Sequence, residues 1–145
     1  MKTFLPIACL FAATFATFAA AQSAPPPSTR PALDPDCANA TTQARTSQCA
    51  YEDFLAATAA YAASYKTLSN KMSQVQKNQF RRTQKLWIQY RTAACELESS
   101  GVAGGSVQPR VKAQCDARMT RARTAELTAL INCKEGDLSC PRFKK

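Results

Sequence analysis

Arg81-Arg82-Thr83-Gln84-Lys85-Leu86-Trp87-Ile88-Gln89-Tyr90-Arg91 holds the chain's single tryptophan, and Cys95, Gly104-Gly105-Ser106 and Cys115 follow it. It contains no Gly or Pro, and most of its residues form helix readily. Phe80, Thr83, Trp87, Tyr90, Ala94 and Leu97 recur at three- and four-residue spacing, which predicts one face of a helix running from about Val75 to Leu97. Lys77, Arg81 and Lys85, spaced by four, form a basic row on another side. Gly101 to Pro109 breaks the helix and forms a loop.

The same pattern extends in both directions. Upstream, Tyr51, Phe54, Leu55, Thr58, Tyr61, Ala62, Tyr65, Leu68 and Met72 mark an alanine-rich helix. Ala38 to Gln48 contains no Pro or Gly and suggests a shorter helix before it. Downstream, a third long helix begins near Pro109, a residue tolerated in a first turn. Val111, Cys115, Met119, Ala122, Glu126 and Leu130 share its inner face, widened by Leu127 and Ile131, with Arg118, Arg121 and Arg123 elsewhere. No strand signal competes. The fold class is all-α: a small antiparallel bundle of three long helices plus a short N-terminal helix.

Residues 1–21 read as a signal peptide. Lys2 precedes an apolar run from Phe4 to Phe18, and Ala19-Ala20-Ala21 offers cleavage before Gln22. The run is too short for a spanning helix, which needs about 20 apolar residues. Cys9 raises lipid attachment, but Pro6-Ile7-Ala8 fit that poorly and cleavage before Gln22 removes it. Residues 22–36, with Pro25-Pro26-Pro27, Pro31 and Pro35, form a disordered lead-in. One domain spans 37–140, and 141–145 is a basic tail. The expected location is the periplasm or the exterior.

Cleavage leaves six of the seven cysteines, an even number that in a small secreted chain points to disulfides. Six cysteines allow 15 pairings. The sequential scheme Cys37–Cys49, Cys95–Cys115 and Cys133–Cys140 is preferred because each bond closes a local loop. With no His and no closely spaced CxxC pair, a zinc site has little support, and no metal or cofactor is expected.

The formal charge of +9 falls to about +8 once Lys2 is removed. That balance favours anionic partners such as lipid head groups, wall polymers or acidic proteins, or serves solubility alone. Nucleic acid is not expected, because no binding motif appears. Catalysis lacks equipment: without His there is no Ser–His or Cys–His pair, and Glu96 and Glu98, like Glu52 and Asp53, point to different sides of their helices.

Gln84, Trp87, Tyr90, Arg91, Cys95, Gly104-Gly105-Ser106, Cys115, Thr120, Arg123 and Leu127, in that order, resemble the lysozyme inhibitor LprI-like, N-terminal domain family, also called DUF1311. The family pattern is an Ala-Gln…Trp…Tyr-Arg-Asp…Cys helix, a Gly-Ser loop, a second Cys and a Thr…Arg…Leu helix. The resemblance covers roughly residues 37–130. Thr83 and Thr92 stand where the family has Ala and Asp, and of the usual Asp…Leu-Asn…Tyr segment only Tyr65 is matched. The tail bearing Cys133 and Cys140 lies outside the shared pattern.

The resemblance implies an exported, non-enzymatic inhibitor of a lysozyme. Animal-type lysozymes are themselves basic, so the contact would need a locally neutral or acidic face. The alternative is an envelope-binding module in which Lys77/Arg81/Lys85 and Arg118/Arg121 meet anionic lipid or polymer.

The candidate binding residues are Gln84, Trp87, Tyr90, Arg91, Gly105, Ser106 and Arg123. Trp87 and Tyr90 are expected to fill the core, with Gln84 supplying a polar partner and Arg91 and Arg123 partly buried beside acidic groups or helix-end carbonyls. Aromatic and Arg residues are also common interface anchors, so an exposed edge of this group would make a contact patch. Gly104, Gly105 and Ser106 turn the chain; their backbone N–H groups would alternatively cradle an anion.

Overall fold

The computed structural model describes residues 35–134 and 136–143. The expected signal peptide, the lead-in as far as residue 34, Lys144 and Lys145 lie outside the described residues. Four helices make up the fold: α1 (Pro35–Ala38), α2 (Gln43–Asn70), α3 (Gln74–Ser99) and α4 (Gln108–Ile131), with a 3-10 turn at Ser100–Val102. There is no strand among the described residues. The short N-terminal helix is a single turn, and most of the Ala38–Gln48 segment instead extends the long helix of Tyr51–Met72 backwards. Thr42 sets that start: its Oγ1 accepts the Arg45 N–H at 3.2 Å.

Each later boundary also has a local cause. Ser73 and Gln76 form a reciprocal capping box, Gln76 N–H to Ser73 Oγ at 3.3 Å and Ser73 N–H to Gln76 Oε1 at 2.9 Å. That box restarts the chain as α3 three residues after α2 ends. Gly104 adopts φ +75°, a left-handed conformation that strains any residue with a Cβ. Pro109 occupies the first turn of α4.

Helices α2 and α4 run parallel, with α3 antiparallel to both. Gln43 at the start of α2 donates to Ser106 Oγ just before α4 (2.6 Å), and Lys71 after α2 donates to the Ile131 carbonyl that ends α4 (2.6 Å). Ala50 and Ala57 on α2 and Ala113 and Ala117 on α4 are buried. Their small side chains let these two backbones pack closely along their length. The backbones of α2 and α3 seldom approach each other. Large aromatic side chains bridge that gap instead.

The interior is layered along the bundle axis. At the α2–α3 turn sits an apolar core of Leu68, Met72, Phe80 and Leu127, with Tyr65 stacked on Phe80 at 5.0 Å. The middle layer is aromatic and polar. At the far end Cys95–Cys115 ties α3 to α4, with Met119 Sδ 3.6 and 3.9 Å from the two sulfurs, while Cys37–Cys49 ties α1 to α2.

Cys133–Cys140 closes the third bridge, so the sequential pairing holds at all three. The tail beyond it is tied back, at least as far as Phe143. Phe143 packs against the apolar core beneath Lys71 Nζ (5.8 Å from the ring), and the Arg142 carbonyl accepts from Gln76 Nε2 at 2.6 Å.

The structure corrects the expected faces. Tyr90 and Leu97 are 64% and 76% exposed, and Thr83 is exposed too. The buried side of α3 is Phe80, Gln84, Cys95 and Ser99. It is rotated from the apolar stripe because α4 offers polar partners to Gln84 and Arg91. On α4, Ala122 and Glu126 are exposed, and the inner face is Ala113, Cys115, Asp116, Ala117, Thr120 and Leu127.

Candidate functional site

The middle layer is built from one aromatic or polar residue per turn of three helices. Phe54 and Tyr61 come from α2, Gln84, Trp87 and Arg91 from α3, and Asp116, Thr120 and Arg123 from α4. Tyr61 and Trp87 stack across the α2–α3 gap at 5.3 Å between ring centroids and 28° between planes. The Arg91 guanidinium lies 5.1 Å from the Phe54 ring and 5.3 Å from the Trp87 ring; that of Arg123 lies 6.0 Å from Trp87. Two cations thus attend one indole, an arrangement favoured by the negative face of the ring.

Gln84, 3% exposed, organises the polar half. Its Oε1 accepts from Tyr61 Oη (3.3 Å) and Arg123 Nε (3.1 Å). Two donors fix the amide orientation, since a reversed amide would aim its own N–H groups at Arg123. Its Nε2 is buried without a protein partner among the described residues. Arg123 also pairs with Glu126 on the solvent side.

Arg91 is held from α4. Its Nη1 donates to Thr120 Oγ1 at 3.0 Å, and its Nε sits 3.2 Å from Asp116 Oδ1. That Nε and Oδ1 nevertheless make no hydrogen bond among the described residues, so the contact is a charge pair with a poorly aimed N–H. Lys112 Nζ holds the other Asp116 oxygen at 2.9 Å. Beside this group Arg121 makes a two-pronged bond to Asp53, at 2.8 and 2.7 Å.

Burial pushes the Tyr61 phenol above its ordinary value. Arg123 opposes the shift, Tyr65 adds to it, and Arg91 opposes it more weakly. The phenol therefore stays a neutral donor, as the Gln84 oxygen requires.

The layer reaches the surface between α2 and α3. Trp87 is half-buried, and the exposed side chains of Tyr51 (50%), Leu55 (48%) and Tyr90 (64%) follow the helical sequence outward from Phe54 and Trp87. With Trp87 they make up the aromatic surface on this side of the bundle. Its polar groups are largely committed to one another, which suits holding a partner's surface.

Of the expected site residues, Gln84, Trp87, Arg91 and Arg123 come together here, and Tyr90 stands on the rim. Gly105 and Ser106 belong to another place, the loop at the start of α4. There the Gly105 N–H bonds the Val102 carbonyl (3.0 Å), the Gly104 N–H bonds Gln108 Oε1 (2.9 Å) and Ser106 Oγ receives Gln43. Two of the three amides of an anion cradle are thus already used. Cys37, Cys49 and Glu52 converge within 4.8 Å, but the two sulfurs are bonded to each other and offer no thiolate.

Phe54, Tyr61, Asp116 and Thr120 also join this layer, although the sequence did not single them out as candidates. Tyr61 had appeared only as an apolar position at helical spacing. Arg121, expected on a free basic surface, is consumed by Asp53; Arg118 pairs with Glu98.

Parallel and antiparallel helices, three local disulfides and an aromatic–arginine layer define a small disulfide-bonded helical domain. The sequence model of the lysozyme inhibitor LprI family matches residues 36–127, and the chain belongs to that family. It is also 32% identical over 115 residues to an uncharacterised protein of Rhizobium meliloti (strain 1021), covering 70% of this chain and 83% of that protein. No solved structure matches the chain.

Proposed function

We propose that the chain is an exported binding protein that inhibits a lysozyme, using the aromatic face between α2 and α3 as its contact surface. The observation that carries this reading is the coincidence of family membership with one open group: Trp87, held between Tyr61 and the two arginines. Aromatic and arginine side chains anchored in this way supply contact area with little left to order on binding. Family membership and the three disulfides fit an extracytoplasmic protein. The export signal is the segment 1–21, with cleavage near Ala21-Gln22.

Charge is not an obstacle at this face. Arg91 and Arg123 are paired within the protein, and the rim residues Tyr51, Leu55 and Tyr90 are neutral. A basic enzyme therefore meets an aromatic surface, and complementarity is a local matter.

The test is turbidity loss of a bacterial cell suspension by several purified lysozymes, with and without the oxidised chain from Gln22 onward. The expected result is dose-dependent slowing of at least one lysozyme, weakened at least tenfold by Tyr90→Ala in a protein that remains folded. Full lytic rates with every lysozyme at a large molar excess of the chain would overturn the reading.

A further inference from the structure

The three disulfides differ in what a reductant can reach. Cys95 and Cys115 are 0% and 1% exposed, and Cys49 is 8% exposed. A buried bond is reached only by parting the helices around it. Cys133 and Cys140 are both half-buried, and they line a surface pocket of about 540 Å³ together with Lys134, Arg142 and Phe143.

Charge sharpens the contrast. Thiol–disulfide exchange needs an attacking thiolate and releases another, so a nearby cation assists it and a nearby anion opposes it. The Cys37 sulfur lies 3.6 Å from a Glu52 carboxylate oxygen. At Cys133–Cys140 the same pocket carries the cations Lys134 and Arg142. The Asp137 carboxylate there is turned onto Ser139, accepting from its N–H and its hydroxyl at 2.9 and 2.7 Å.

The bond also holds something in place. Three residues beyond Cys140, Phe143 packs against the apolar cluster of Leu68, Met72, Phe80 and Leu127. Lys71 Nζ sits 5.8 Å from its ring, and Gln76 Nε2 donates to the Arg142 carbonyl at 2.6 Å.

We propose that Cys133–Cys140 is a redox-sensitive strap. Oxidised, it keeps Phe143 over the apolar end of the bundle; a dithiol reductant opens it while the other two bridges stay closed. One thiolate of the dithiol attacks a sulfur of the bond, and the other cysteine leaves as a thiolate. The second thiol of the reductant then displaces the first cysteine. Two electrons and two protons pass to Cys133 and Cys140, and the reductant ends as a disulfide. Without the bond, holding Phe143 in place requires ordering the whole tail from the end of α4, and that entropy cost releases it. The apolar end at the α2–α3 turn is then uncovered. Docking and oxidation are reciprocal: the bond favours the docked ring, so the docked ring favours the bond by the same factor. None of this depends on the lysozyme reading.

The test uses the oxidised chain from Gln22 onward, which leaves out Cys9. It is equilibrated with dithiothreitol at fixed ratios of reduced to oxidised reagent, free thiols are blocked with iodoacetamide, and the blocked cysteines are mapped by peptide mass. Cys133 and Cys140 should react at a ratio roughly tenfold or more below that needed for any other cysteine. Fluorescence of anilinonaphthalene sulfonate, a dye that reports apolar surface, should rise in step with them while helical circular dichroism stays constant. Phe143→Ala should lower the half-reduction ratio of this pair roughly fivefold or more. Leu138→Ala, in the same loop but 95% exposed, should leave that ratio where it is.

Three results would overturn the proposal. One is all three bridges opening at the same ratio, and another is the pair opening with no gain in dye fluorescence. The third is a half-reduction ratio that Phe143→Ala leaves unchanged, because the ring and the bond would then be independent. Lysozyme inhibition is read separately, so failure here leaves that reading standing.

Discussion

Tyr61 and Trp87 stack at 5.3 Å across a gap that their helices' backbones seldom close. The pair is at once structural and accessible. Its inner edge joins Gln84 and the arginines, and its outer edge reaches the surface between α2 and α3. Stability and the proposed contact can therefore be separated one helical turn apart. Trp87→Ala removes the stacked ring and the seat of Arg91 and Arg123, and should cost about 2–4 kcal/mol in urea unfolding, somewhat below a fully buried aromatic. Tyr90→Ala, on the exposed rim, should change stability by no more than about 0.5 kcal/mol. If Tyr90→Ala unfolds the protein as much as Trp87→Ala does, the rim assignment is wrong.

Arg91 and Asp116 are the most consequential charge pair. Their side chains are 14% and 8% exposed, so neither charge can be rehydrated without distortion. Asp116→Ala strands Arg91 and should destabilise by about 3–5 kcal/mol, whereas replacing both residues with apolar ones of similar volume should recover much of that loss. A double-mutant cycle by chemical denaturation measures this. Additive losses would show that the 3.2 Å approach contributes little coupling.

This pair also explains what could not be seen in the sequence. Helix punctuation was legible because it is local: Ser73 caps, Pro109 starts, and Gly104 turns with positive φ. The three cysteine pairings were legible for the same reason, each loop being short. The facing of α3 was not. A hydrophobic row of Trp87, Tyr90 and Leu97 competes with a polar row of Gln84 and Arg91, and hydropathy prefers the first. The second is buried because Thr120, Asp116 and Arg123, some 25 to 39 residues away, supply its partners. The charge alone could not reveal that Arg121 is spent on Asp53.

The disulfides should differ in their consequences. Cys95–Cys115 closes 20 residues and is wholly buried at the end of the α3–α4 contact. Replacing both cysteines by alanine should cost about 3 kcal/mol on the chain-entropy argument. Cys133–Cys140 closes only 7 residues and lies beyond the family match. Its removal should leave the α2–α4 packing intact and free Phe143 from the core, visible as faster amide exchange around Gln76 and Arg142 with little change in exchange at Ala57 or Ala117. Equal loss of protection everywhere would show that the tail is integral to the bundle.

Tyr61 supplies a pH dependence with a defined sign. Its phenol is raised above the ordinary tyrosine value, chiefly by burial. The folded state therefore holds this proton more tightly than the unfolded chain does. The stability from this group is fully present below about pH 10, the unfolded value, and is lost as pH rises through the folded value. Tyr61→Phe removes the donor to Gln84 Oε1, at a cost of about 0.5–1.5 kcal/mol near neutrality, and with it this part of the alkaline loss. Urea unfolding measured quickly at several pH values, before alkali attacks the disulfides, should show the native protein losing ground to the variant above about pH 10. Parallel curves for the two proteins would mean that the phenol ionises as freely when folded as when unfolded, and that Gln84 is not held by a neutral Tyr61.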